Sequence, residues 1–249
     1  MHHRAALCAL LLPLLAGWAL SAAAQTSDVA SSWMAARVFL PGRSDPVVPA
    51  ETPVGQRLPT LLYMHGCSGA DESNDLPWAR HLSQLGYIVV IPDRFARADK
   101  ASSCWPDRNR AAHEMRREEL GFAIEQIKSS VWADPTNLFL MGFSEGADAI
   151  AESRIDGVQG AILSSWTCRR VNDLALPLGL PILSILWDER SRWRWWDRGE
   201  SDCPAKFAGR DGFHNLELRG KGHATYGARA AREAVGKFLR EHLTQHPSG

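Results

Sequence analysis

The chain has 249 residues, 45% of them hydrophobic and 22% charged, and its 28 basic residues balance 28 acidic ones. That length suits one large α/β domain or two small ones with a sizeable core, and the composition is that of a globular protein. Zero formal net charge gives no electrostatic basis for a nucleic-acid or anionic-membrane partner.

Met1-His2-His3-Arg4 is a short positive start, Ala5 to Leu20 is an apolar run, and Ala22-Ala23-Ala24 offers small residues for a signal peptidase. Residues 1–24 are therefore expected to be a signal peptide cut before Gln25, leaving a periplasmic or secreted protein. A membrane anchor is the rival, but the apolar run is short and ends in small residues. Residues 25–57 form a leader and an N-terminal edge-strand region. Gln25 to Ser32, polar and small, is expected to be a disordered leader. Ala36 to Leu40 is a candidate first strand, and the Pro, Gly and Ser content of Pro41 to Arg57 argues for a loop or irregular edge hairpin.

The remaining organisation, residues 58–245, alternates strands and helices. Thr60-Leu61-Leu62-Tyr63-Met64 and Tyr87-Ile88-Val89-Val90-Ile91 are continuous apolar runs, as strands buried on both faces require. Between them Pro77 to Leu85 reads as a helix stopped by Gly86. Leu120, Ala123, Ile124, Ile127 and Val131 recur at helical spacing, predicting an amphipathic helix over about Asn109 to Ser130. Further strands are predicted at Asn137–Met141, Val158–Leu163, Ile182–Leu186 and Asn215–Leu218. A closing helix over Ala228 to Leu243 puts Ala231, Val235, Phe238 and Leu239 on one face. Such alternation implies a mostly parallel sheet covered on both faces, a three-layer sandwich, with the chemistry at the carboxyl edge of the strands.

Export makes the cysteines of the mature chain, Cys67, Cys104, Cys168 and Cys203, disulfide candidates. Four cysteines allow three connectivities. Cys67–Cys104 and Cys168–Cys203 are favoured because each joins loops that the topology brings to one end of the sheet. No C-x-x-C or H-x-x-x-H spacing supports a metal site.

Gly142-Phe143-Ser144-Glu145-Gly146 lies between the apolar strand Asn137–Met141 and a helical start at Ala147. G-x-S-x-G at a strand–turn–helix junction is the context of a nucleophile elbow. A strained backbone exposes the Ser144 hydroxyl, and the two glycines let strand and helix approach closely.

Four segments together resemble a known family: Leu61 to Gly69 with its His65-Gly66-Cys67-Ser68-Gly69 end; Gly86-Tyr87 to Pro92-Asp93-Arg94-Phe95; the elbow; and Gly222-His223. They are similar to dienelactone hydrolase-like members of the α/β-hydrolase superfamily, over about Leu58 to Leu243. Dienelactone hydrolase itself uses cysteine, so Ser144 marks a serine-nucleophile relative. The resemblance implies the α/β-hydrolase fold, no cofactor, a small ester or lactone substrate, and the order nucleophile, acid, histidine. His223 then takes the proton of Ser144 and returns it to the leaving group. His65 is assigned a structural role in the oxyanion loop, and His81, His113 and His242 fall on helices. The family pattern gives the oxyanion hole the backbone N–H groups of Glu145 and Cys67.

The acid follows the strand Ile182–Leu186. Relatives carry a glycine followed three residues later by aspartate; at that spacing this chain has Asp188 and Ser191. Asp188 is taken as the acid, with Glu189 and Asp197 as alternatives, and pairing of Asp188 with a nearby arginine as the bland reading. Trp187, Trp193, Trp195 and Trp196 interleave with Arg190, Arg192, Arg194 and Arg198. This stretch is open between a lid, an aromatic or acidic substrate patch and an insertion packed on the domain. The expected activity is carboxylic ester or lactone hydrolysis. The rivals are a peptidase or acyltransferase on the same triad and a non-catalytic binding protein with a degenerate acid position.

Overall fold

A computed structural model describes residues 28–53, 55–100, 104, 110–166, 174–190, 207 and 209–244. Among these residues seven strands form one sheet in the order β1-β3-β2-β4-β5-β6-β7. They are β1 (Arg37–Phe39), β2 (Leu58–Met64), β3 (Ile88–Ile91), β4 (Ala133–Phe143), β5 (Gly160–Ser164), β6 (Ile182–Arg190) and β7 (Phe213–Gly222). Only β1 runs antiparallel, pairing Val38 with Val90; every other neighbour pair is parallel.

The uninterrupted apolar runs follow from helices on both faces. Alternate strand residues point to opposite sides. Leu62, Met64, Val90, Leu140 and Leu163 meet helices α2 (Arg110–Ser129) and α3 (Glu145–Ala151) through Leu120, Ala123, Ile124, Ile127, Ala147 and Ile150. Leu61, Tyr63, Val89, Phe139, Met141 and Ile185 meet α1 (Asp75–Gln84) and α4 (Arg229–His242) through Trp78, Ala79, Leu82, Ala231, Val235 and Phe238. The chain crosses from β3 back over β2 to β4, and because β2 to β7 are parallel, the loops after β2, β3, β4, β5 and β7 open on one edge of the sheet. No helix among the described residues is long and apolar enough to cross a membrane.

Three expectations change. Residues 28–34 are helical and packed. Val29 and Ser32 are buried, Trp33 lies against the α2 side of the core, and the Ser32 carbonyl accepts from Asp93 N at 3.0 Å. Within a mostly polar segment, Val29 and Trp33 stand four residues apart, enough for one apolar stripe. Residues 25–27 lie outside the described residues. Val131 sits past the end of α2 and is 51% exposed, so the periodic stripe ends at Ile127. The third change concerns β6, which runs four residues beyond Leu186 and pairs with β7 as far as Arg190↔Gly222. The register shifts between Trp187 and Glu189, making Asp188 the irregular residue inside a strand pair. Polar residues hid this extension, because its strand character comes from β7 rather than from hydrophobic patterning.

Candidate active site

β4 delivers the elbow. Ser144 caps α3 with φ 53° and ψ −117°, a conformation that non-glycine residues hold only when their surroundings impose it. Those surroundings are specific. Ser144 N donates to the Ser164 carbonyl at 2.8 Å, and the Ser144 carbonyl accepts from Ala147 N and Asp148 N at 3.0 Å each. A Cβ on Gly142 would stand 2.5 Å from Ala147 N, and one on Gly146 would stand 2.0 Å from the Met64 carbonyl oxygen. Both motif glycines are therefore contact requirements, the second against β2.

His223 follows β7 directly. It is exposed, and its ring lies 4.8 Å, centroid to centroid, from the ring of Phe143, the residue before Ser144. Its carbonyl accepts a hydrogen bond from the Ser165 hydroxyl. The end of β5 and the residue after it thus touch both groups, through the Ser164 carbonyl at Ser144 and through Ser165 at His223. Gly222 is needed because a Cβ there would stand 2.4 Å from the Trp187 ring, whose indole N–H donates to the Ala224 carbonyl at 3.2 Å. Beyond it Thr225 is buried; its amide donates to Asn74 Oδ1 at 2.8 Å and its hydroxyl meets Ser164 Oγ at 2.7 Å. Tyr226 N donates to the same Asn74 oxygen at 3.1 Å.

Asn74 belongs to a buried network continued by Tyr63 and Asp75. Asn74 Nδ2 donates to the Tyr63 hydroxyl at 3.1 Å, and the neighbouring Asp75 carboxyl accepts from Asp71 N at 3.3 Å. Burial, with Asp71 nearby, raises the Asp75 pKa to about 7, against hydrogen bonds that favour its ionised form.

On the other side of Ser144, Gly66 faces the Phe143 ring, with a built Cβ 3.0 Å from it. Cys67 is bonded to Cys104, the expected partner, at an S–S distance of 2.04 Å. His65 is 1% exposed, and its Nδ1–H donates to the Gly66 carbonyl at 2.7 Å. Burial, Arg116 and Arg94 hold its pKa well below the usual histidine range, so it is a neutral spacer in the loop.

Asp188 is exposed, and its Oδ1 accepts from Gly220 N of β7 at 2.7 Å. The expectation that it lies in a loop beyond the strand is corrected: it sits within the β6–β7 ladder, bonded to Gly220, three residues before His223 in the chain. Ser191, Asp197, Cys168, Cys203 and the tryptophans and arginines at 192–198 fall outside the described residues.

No family model matches the sequence, and no curated protein matches it. Solved structures do match. Est1E from Butyrivibrio proteoclasticus aligns with a TM-score of 0.62 at 13% identity, covering 84% of this chain and 94% of that one. The chain has the α/β-hydrolase fold. Dipeptidyl peptidase 4 of Porphyromonas gingivalis aligns at TM-score 0.56 and 13% identity over 84% of this chain and 33% of its own. A putative dienelactone hydrolase from Klebsiella pneumoniae subsp. pneumoniae MGH 78578 aligns at 0.50 and 13%, over 75% and 86%.

Within this α/β-hydrolase scaffold a buried charge cluster lies next to the elbow, a feature that sequence reasoning missed. Arg94, just after β3, donates from Nη1 to Glu145 Oε1 at 2.6 Å and from Nη2 to the Cys67 carbonyl. Arg116, on α2, donates to the His65 carbonyl at 2.8 Å and pairs with Glu119, which accepts from the Ser32 hydroxyl. All four charged side chains are at most 5% exposed, two positive against two negative. Arg94 and Glu145 are 51 residues apart in the chain, so no local pattern announces their contact. The one available signal was charge itself: an arginine closing an apolar strand and a glutamate inside an elbow.

Proposed function

We propose that this protein is an exported serine hydrolase of the dienelactone hydrolase-like type that cleaves carboxylic esters or lactones. The observation that carries the reading is Ser144 held at φ 53° between two glycines that admit no Cβ, with the His223 ring 4.8 Å from that of the preceding Phe143. Ser144 Oγ attacks the ester carbonyl carbon while His223 accepts its proton. The oxyanion forms against the backbone N–H groups of Glu145 and Cys67. Collapse breaks the bond to the alcohol, which leaves with the proton from His223, and water releases the acid by the same steps in reverse roles. Asp188 supplies the carboxylate behind His223, and its bond to Gly220 N ties it to the strand that ends at the histidine. Esterases among the structural neighbours support ester chemistry; a dipeptidyl peptidase among them makes an amide substrate the second reading.

Removing the hydroxyl tests this directly. Ser144→Ala should abolish p-nitrophenyl acetate hydrolysis while leaving the thermal unfolding midpoint within a degree or two, about the span of a neutral substitution. Turnover equal to wild type would refute the assignment. Parallel assays on short p-nitroanilide peptides separate esterase from peptidase.

A further inference from the structure

Both donors of the oxyanion hole belong to segments that the same guanidinium holds. One is the amide of Glu145, whose own carboxylate is paired with Arg94 at 2.6 Å. The other is the amide of Cys67, whose own carbonyl accepts from Arg94. Arg94 is fully buried and comes from a third segment, the 3-10 turn Arg94–Ala96 after β3. A planar guanidinium offers N–H groups in a fixed fork, so two acceptors bound to its two ends have a fixed separation. Arg116 backs this arrangement through the His65 carbonyl and a 3.9 Å approach to the same Glu145 oxygen.

Resting on the acyl-enzyme reading above, we propose that Arg94 is a positioning residue that sets the spacing of the two oxyanion-hole amides by gripping Glu145 and Cys67 at once. The disulfide to Cys104 anchors the Cys67 loop from its outer side, and Arg94 anchors it from beneath. Neither group touches substrate. Their effect is to fix where the two N–H vectors converge, and such preorganisation acts on the tetrahedral species rather than on the bound ester.

The test uses the mature protein, p-nitrophenyl acetate and phenylboronic acid, whose tetrahedral adduct on the serine needs the same hole. Arg94→Met should lower kcat roughly 10- to 100-fold with KM changed by less than about two-fold, and boronate affinity should fall in step with kcat. A role confined to neutralising Glu145 makes a different forecast for the double variant Arg94→Met with Glu145→Gln. Removing both charges would then restore kcat along with the thermal midpoint. The positioning role has the midpoint recover while kcat and boronate affinity stay low. If the single variant does not fold, the charge-balanced double variant carries the test alone. Wild-type kcat in the double variant, or a change confined to KM, overturns the proposal. Absence of any Ser144-dependent turnover in the wild type would overturn the reading of the site itself, a separate outcome.

Discussion

The loops of Cys67 and His223 stand on opposite sides of Ser144 and are secured by different chemistry. The Cys67 side is ionic and covalent: a disulfide, two buried arginines and two buried glutamates. The His223 side is built mainly from neutral hydrogen bonds, with Asn74 holding two amides and Thr225 bridging to Ser164; its carboxyls are Asp75, next to Asn74, and the exposed Asp188, bonded to Gly220 N. An oxyanion hole works by having fixed dipoles in place before charge develops, and a buried guanidinium that always carries its proton fixes them at every working pH. On the proposed mechanism His223 picks up and releases a proton, and it sits instead on an exposed loop, with the buried contacts made by the residues just after it. Buried ion pairs thus lie behind the two proposed oxyanion-hole amides, whereas the buried contacts beside His223 are neutral hydrogen bonds and its carboxylate, Asp188, is exposed.

Breaking the neutral side should cost most through Asn74. Asn74→Ala strips acceptors from Thr225 N and Tyr226 N in the interior, and a loss of about 1–3 kcal/mol in unfolding free energy is expected, with lower kcat. Urea denaturation and steady-state kinetics on the same preparation would measure both. An unchanged kcat at reduced stability would mean that the network serves folding only.

A smaller effect sharpens the contrast in pH. The Asp75 carboxyl has its folded pKa raised to about 7, above its unfolded value, so the folded state binds the extra proton. Its contribution to stability is full below the unfolded pKa and declines as pH rises through about 7. Asp75→Asn, a neutral isostere, should flatten the fall in unfolding midpoint between about pH 4 and 7. Identical slopes in the two proteins would remove Asp75 from the account.

The fold was legible where structure is local. The runs Leu61–Met64 and Ile88–Ile91 are apolar because both faces of the sheet are covered, and the elbow glycines are set by contacts within one turn and with the adjacent strand. The favoured Cys67–Cys104 pairing also followed, from placing two loops at the same edge. Legibility failed where a residue's state depends on distant partners. Asp188-Glu189-Arg190 is strand because β7 lies beside it, and Ser32 is buried because Glu119 and Asp93 accept and donate to it. The Arg94–Glu145 pair was invisible for the same reason: each residue alone reads as a solvated charge, and only the fold brings them together.

The central claim, that Ser144 is a nucleophile activated by His223, is tested most directly by the rate at which a fluorophosphonate probe bonds to the protein, read by intact mass. One adduct, mapped to the peptide bearing Ser144 and slowed by at least about 100-fold in His223→Ala, is the expected result. No adduct on the wild-type protein, or an adduct forming equally fast without the imidazole, would contradict it.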